Sequence, residues 1–367
     1  MYALITAVFP GENNFASTLT RYLGTGTCVL AAEGRSLLTL LLLALRKRNA
    51  NRSDAVLLPG YTCYSVAAAV VRAGLKCRVY DLNPLTFAPD MASVRSAATP
   101  DTLAVVAQHL FGIPTPIDGL REVASSLGAA LIEDAAQGLG GRMAGSMLGA
   151  LGDYGLFSFG RGKPLPLGCG GALLDNRGCM ITEGIVTGRK SAGYGGLLKT
   201  AALQVLTHPR IYRIMEALPL GLGRTVFDPG FKIAPMPPVM QRLGVRALMY
   251  LEVLNAHRRM LAGVYRSILG DGRTRTVSGL DMPVYTRFPV LVNANTIPPH
   301  LWRMGVRRMY PKAIIEVPSI RPYLASGSLA TPAAARLAVQ LITLPTHQSI
   351  TPDMARRIAR EVKELFA

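Results

Sequence analysis

The sequence is poor in cysteine, lysine, acidic residues and long apolar runs. Its 367 residues include five Cys, irregularly spaced and without a Cys-x-x-Cys pair. That excludes a small disulfide-stapled scaffold and offers no zinc spacing, so no metal site is expected. Unbroken apolar stretches are brief. Leu40–Leu45, with Leu37 and Leu38 just upstream, stops at Arg46-Lys47-Arg48, whereas a membrane span needs about 20 apolar residues. The opening MYALITAVFPGENN lacks the basic leader and cleavage site of a signal peptide. The expectation is a cytoplasmic protein with reduced thiols. Half of the residues are apolar, which excludes a disordered chain.

Acids are outnumbered, with 22 Asp and Glu against 40 Lys and Arg, a net charge of +18. Only eight of the cations are Lys. The excess is uneven: residues 1–99 carry +5, 100–186 carry −3, 187–275 carry +10 and 276–367 carry +6. A basic surface suits a nucleic acid, an anionic membrane or a polyanionic substrate. Solubility with a drift toward Arg explains it equally well. No helix-turn-helix and no aromatic-interleaved basic strip is present, so no nucleic-acid partner is expected.

The first two hundred residues alternate short apolar runs with helical patterns. Runs at Val56–Leu58, Cys77–Tyr80, Ala104–Gln108, Ala130–Ile132, Gly155–Ser158 and Gly171–Leu174 read as strands. Ser36–Arg48, Ser65–Ala73, Pro89–Ala98 and Asp118–Leu127 read as helices. Apolar strands separated by amphipathic helices predict an α/β fold with a mostly parallel sheet covered on both faces. The second half differs. Met240–Leu269 reads as one long helix, Met282–Val292 as an antiparallel strand, and Ala333–Leu341 and Asp353–Phe366 as helices, the last capped at Thr351-Pro352. The expected division is a large α/β domain over 1–235 and a smaller α+β domain over 236–367.

In parallel sheets ligands bind beyond the carboxyl ends of the strands. Three such ends carry chemistry here. In AAEGRSLL (31–38), Gly34, Arg35 and Ser36 open a helix whose free N–H groups suit a phosphate. In LIEDAAQGLGG (131–141), a strand delivers Glu133 and Asp134, followed by Gln137. In FSFGRGKPLPLGCGGALL (157–174), a strand ends at Ser158 and a Gly-rich turn presents Lys163 beside Arg161. Each alone has an ordinary reading: a plain helix start, an acid capping a loop, a surface lysine. Together they are the parts of a pyridoxal phosphate site, which needs a Lys for the Schiff base and an acid for the pyridine nitrogen.

The chain resembles the DegT/StrS-type sugar aminotransferases, pyridoxal phosphate enzymes of the aspartate aminotransferase-like fold type I. The likeness is carried by EGRSLLTLLLLAL (33–45), LLPGYTCYSVAAAVVRAGLKCRVYDLNPLTF (57–87), HLFGIPTPID (109–118), LIEDAAQGLGGRMAG (131–145), LGDYGLFSFGRGKPL (151–165), GCGGALL (168–174) and LPTHQSIT (344–351). It implies pyridoxal 5'-phosphate as cofactor and Lys163 as the lysine that binds it. It implies Asp134 on the ring nitrogen, Gln137 near the ring, and Ser158 with Gly34–Ser36 on the phosphate. Tyr61, Thr62 and His109 would line the ring or substrate, His109 with a structural role as the alternative. It further implies a homodimer with the site at the interface. The reaction would move an amino group from an amino acid such as L-glutamate to a keto sugar, nucleotide-linked, in polysaccharide or glycoconjugate synthesis.

The likeness has gaps. Ile233 stands about where relatives have an Asn that reaches the partner's phosphate, with Lys232 and Arg35 as candidate replacements. Leu139 replaces a His, and Gly160-Arg161-Gly162 replaces an aromatic-Pro-Gly turn. Residues 184–228 look like an apolar, basic insertion, without an acid from Gly184 to Met215. Within it, 193–227 fits two roles: a basic amphipathic segment at an anionic membrane, bringing a lipid-linked acceptor, or a cover over the site or dimer contact. A non-catalytic, regulatory family member is the remaining alternative, against which Lys163, Asp134 and Gln137 stand.

Overall fold

A computed structural model describes residues 14–49, 54–178, 226–270, 281–292 and 297–366. A seven-stranded sheet organises the first half. Its strands are β1 (Thr27–Ala31), β2 (Ala55–Pro59), β3 (Lys76–Tyr80), β4 (Thr102–Gln108), β5 (Ala130–Asp134), β8 (Tyr154–Ser158) and β9 (Gly171–Asp175). A small hairpin, β6 (Arg142–Met143) with β7 (Ser146–Met147), lies between β5 and β8. The spatial order is β1-β9-β8-β5-β4-β2-β3. Neighbours are parallel except at β9, which runs antiparallel to both β8 and β1.

Every residue of β2, β4, β5 and β9 is buried. This is why these strands are mostly apolar rather than alternating, with polar residues confined to their ends. Helices α1 (Phe15–Leu23), α2 (Gly34–Arg48), α3 (Tyr64–Arg72), α4 (Met91–Ala97) and α5 (Asp118–Leu127) flank the sheet. All six expected strands and all four expected helices of this half are present, with shifted ends. Helix α1 and strand β1 add to them. The direction of β1, β2, β4, β5 and β8 brings Glu33–Ser36, Tyr61–Thr62, His109, Asp134 and Ser158 to one end of the sheet.

Beyond the sheet lie α6 (Pro238–Leu248), α7 (Leu251–Leu269), β10 (Arg287–Leu291), α8 (Pro299–Arg303), α9 (Pro332–Gln340), β11 (Leu341–Pro345) and α10 (Pro352–Lys363). Strands β10 and β11 pair antiparallel. Helix α10 starts as expected, with Pro352 at its first turn and the Thr351 side chain accepting from the Met354 N–H at 3.2 Å. Two expectations are corrected. The long helix over 240–269 is two helices, broken at Met249–Tyr250, where the Tyr250 N–H bonds Ala247 three residues back rather than four. The strand expected over 282–292 is confined to β10. Residues 282–286 instead bond to loops of the sheet: Met282 exchanges bonds with Arg142, and the N–H groups of Val284 and Thr286 donate to the carbonyls of Gly112 and Phe111.

One apolar cluster runs from Leu38, Leu41 and Val105 at the sheet to Leu261, Tyr265 and Ile358 of the later helices. A second covers the β1–β9–β8 edge, joining Phe15, Phe157, Phe159, Leu174 and Leu243. Most of the segment expected to be insertion-like, including 193–225, lies outside the described residues. Among the described residues, no helix is long and apolar enough to cross a membrane.

Candidate active site

Strand β5 delivers two neighbouring carboxylates to opposite faces, and their surroundings differ. Glu133 is fully buried. It accepts hydrogen bonds from His109 Nε2 at 2.8 Å, from the N–H groups of Gly149 and Leu151 at 2.8 and 2.6 Å, and from that of Gly152. Burial works to raise its pKa, but His109 and these donors outweigh it and hold the carboxyl below its ordinary value. His109 Nδ1 accepts from the Thr115 N–H at 3.1 Å, so the ring proton sits on Nε2 and points at Glu133. His109 is thus buried with both nitrogens engaged.

Asp134 faces the other way and has little to support its charge. Its Oδ1 accepts from the Ala136 N–H at 3.2 Å. Burial raises its pKa, while the charge of Lys163 pulls it down only in part. A buried carboxylate of this kind is a seat for a cation.

Lys163 is half-buried on the turn after β8. Its N–H donates to the Gly160 carbonyl at 3.3 Å, and Gly162 before it adopts φ +72°, a backbone open to glycine. The Gly160 N–H lies 3.4 Å from Ser158 Oγ. The Gln137 side chain accepts from the Phe111 N–H at 2.5 Å, which ties the acid-bearing turn to the loop after β4.

Helix α2 begins at Gly34, and no side chain caps it. Its start is pressed onto the sheet: a Cβ on Gly34 would lie 3.0 Å from the Phe157 carbonyl oxygen and 3.6 Å from Ser158 Cβ. Ser36 Oγ and Thr62 Oγ1 are buried and have no hydrogen-bond partner among the described residues. Unpaired buried hydroxyls are costly, and they are what a ligand's phosphate oxygens would satisfy. Arg35 is otherwise occupied. It pairs with Glu33 and stacks 4.5 Å above the Phe231 ring. Lys232 is exposed and Ile233 half-buried on the strand-like stretch beside it, where Ala32 donates to the Ala234 carbonyl at 2.9 Å.

Tyr61 is fully buried, its ring edge-on to Tyr310 at 5.1 Å, and burial raises its hydroxyl pKa. Burial first, and nearby groups including Asp134, raise the Tyr310 hydroxyl pKa well above its ordinary value. Tyr310 and the Glu133 network were not anticipated. Glu133 looked like a strand-end acid, yet an acid inside an apolar strand already signals a buried hub. Tyr310 carries no local signal. Among the described residues, no group of His, Cys, Asp and Glu is arranged to hold a metal.

The residues fit pyridoxal phosphate: an uncapped helix start and two buried hydroxyls for the phosphate, a buried carboxylate for a ring cation, and a lysine whose charge acts on that carboxylate. A sequence model of the DegT/DnrJ/EryC1/StrS aminotransferase family matches residues 4–363, and the chain belongs to that family. It is 38% identical over 165 residues to an L-glutamine:2-deoxy-scyllo-inosose aminotransferase of Streptoalloteichus tenebrarius, a match covering 45% of this chain and 38% of that protein. Over 96% of its length it is 29% identical to the erythromycin biosynthesis sensory transduction protein EryC1 of Saccharopolyspora erythraea, covering 88% of that chain. A Streptococcus pneumoniae protein assigned as a sugar aminotransferase, in its PLP form, shares the fold, with a TM-score of 0.75 at 18% identity over 100% of this chain and 96% of that one.

Proposed function

We propose that this chain is a pyridoxal phosphate-dependent aminotransferase. It takes the amino group of an amino acid of the L-glutamate or L-glutamine type and passes it to the ketone of a sugar or cyclitol. The observation that carries this reading is Asp134: a buried carboxylate whose pKa burial raises, with the Ala136 N–H donating to it and the charge of Lys163 acting on it. Bound cofactor supplies the electron sink for cleavage of the donor's Cα–H bond. Asp134 would hold the ring nitrogen in its protonated form, and the α2 start, Ser36 and Thr62 would hold the phosphate. The Lys163 amine would hold the cofactor covalently and, as a free amine, would serve as general base and acid toward the donor's Cα proton.

The acceptor class rests on the family and on the relative named for 2-deoxy-scyllo-inosose. A nucleotide diphosphate on the acceptor would suit the +10 charge of residues 187–275. The homodimer is part of this proposal, and a monomer by light scattering at working concentration would remove it.

The test is the visible absorbance of the purified protein with and without L-glutamate or L-glutamine. A cofactor band in the wild type that a donor converts, together with cofactor that borohydride fixes covalently to the wild type but not to Lys163→Ala, supports the reading. A wild type without bound cofactor would leave the regulatory alternative standing.

A further inference from the structure

Helix α7 enters the site through two side chains that the proposed chemistry does not use. Arg258 is 8% exposed, and among the described residues no carboxylate pairs with it. Its Nη1 donates to Asn255 Oδ1 at 2.6 Å, and its Nη2 donates to the Lys163 carbonyl at 3.4 Å. Asn255 is fully buried, and its Nδ2 donates to the Leu139 carbonyl at 3.1 Å. One pair of side chains therefore joins the turn carrying Lys163 to the turn that follows Asp134 and Gln137.

The acid-side turn is shaped for this contact. Gly140 adopts φ +84°, and a Cβ there would lie 2.5 Å from Asn255 Nδ2. Only glycine leaves Asn255 where it is. Burying a guanidinium without a carboxylate is costly, and the burial pushes the Arg258 pKa down to about 10. Hydrogen bonds to backbone carbonyls offset that cost only where the carbonyls are held still.

We propose that Arg258 and Asn255 are positioning residues that fix the Lys163 turn against the Asp134–Gln137 turn, and so set where the lysine amine meets the cofactor and the donor's Cα. The inference rests on the aminotransferase reading for its kinetic consequence, but its structural content stands without it. Both residues act through backbone carbonyls and touch no reacting atom.

The experiment compares wild type, Arg258→Met, Arg258→Lys and Asn255→Ala. Arg258→Met keeps an unbranched apolar stem and removes the charge and both hydrogen bonds. The first readout is amide hydrogen exchange in protein stripped of cofactor, over residues 137–141 and 159–167. Arg258→Met and Asn255→Ala are expected to speed exchange in both stretches together, with Arg258→Lys between them and wild type. The second is the steady-state split. A misplaced lysine lowers kcat, by about a hundredfold for a shift near 1 Å, while the donor KM stays within error. Unchanged exchange at both turns in Arg258→Met and Asn255→Ala would overturn the proposal, as would wild-type kcat in Arg258→Met. If Arg258→Met fails to fold, Asn255→Ala decides on the same two readouts. A wild type that binds no cofactor sinks the aminotransferase reading and leaves the exchange experiment to judge the clamp.

Discussion

His109 Nε2 donates to Glu133 Oε2 at 2.8 Å in a fully buried pair, and the same carboxylate gathers the N–H groups of Gly149, Leu151 and Gly152. The loop before β8 is thereby folded beneath β5. The two acids that end β5 divide the work. Glu133 builds the floor, and Asp134 is left with the Ala136 N–H as its backbone donor on the other face.

Glu133→Ala leaves His109 and three backbone donors without an acceptor. Leaving buried donors unsatisfied costs about 1–3 kcal/mol each, to be measured as a loss of stability by urea unfolding. The folded pKa of Glu133 is depressed, so its stabilisation is complete above the unfolded value of 4.5 and is lost as pH falls through the lower folded value. Wild type should therefore lose stability more steeply than Glu133→Gln on acidification below that range. Equal slopes would show that the carboxylate is not the anchor.

Asp134→Asn should have opposite effects with and without cofactor. The folded pKa of Asp134 is raised, so the stripped fold accommodates its neutral form better than its charged form relative to the unfolded chain. Its ionisation withdraws stability as pH rises from the unfolded 3.8 through the raised value. The Asn variant should be at least as stable as wild type at neutral pH when stripped. Its cofactor affinity should fall by roughly 1.5–3 kcal/mol, the worth of a charged hydrogen bond. Thermal scans of both forms, with equilibrium dialysis, make the comparison, and a destabilised stripped variant would contradict it.

Thr62→Val replaces an unpaired buried hydroxyl by a methyl of similar shape. The stripped protein should gain about 1 kcal/mol, and cofactor binding should weaken by a comparable amount or more. Ser36→Ala should behave alike. If neither variant changes cofactor affinity, these hydroxyls do not meet the phosphate.

Gly155→Ala tests the strand beside Asp134. Its Cβ would lie 2.0 Å from the Gly149 carbonyl oxygen, a backbone atom. A loss of about 1–3 kcal/mol or more in chemical denaturation is expected from such overpacking. An unaltered midpoint would mean that the 149–155 turn is not close-packed.

The sheet was legible because burial on both faces leaves strands such as AVLLP with no polar position. The site motifs were legible because each lies next to the end of its strand: Asp134 closes β5, and Lys163 follows Ser158. The break at Met249–Tyr250 was not, since neither Pro nor Gly marks it. The shortened β10 was not either. Met282–Thr286 alternates like a strand, but its hydrogen bonds go to Phe111, Gly112 and Arg142, partners set by tertiary position. Arg258 escaped notice for the same reason. On α7 it reads as one more cation in a basic stretch, and only the approach of Lys163 gives it a function.

The antiparallel direction of β9 bears on how the site comes together. Ser158 pairs with Gly171, and the Phe159 N–H extends the ladder to the Gly170 carbonyl at 2.8 Å. The lysine turn is therefore closed by its own flanking strands, with little chain entropy lost. Asp134 sits between β4 and β8, so its setting depends on parallel crossovers, which are slow because distant segments must meet. In a growing or refolding chain the loop carrying Lys163 can form early as a local hairpin, and the approach of Lys163 to Asp134 should wait for β5 to dock.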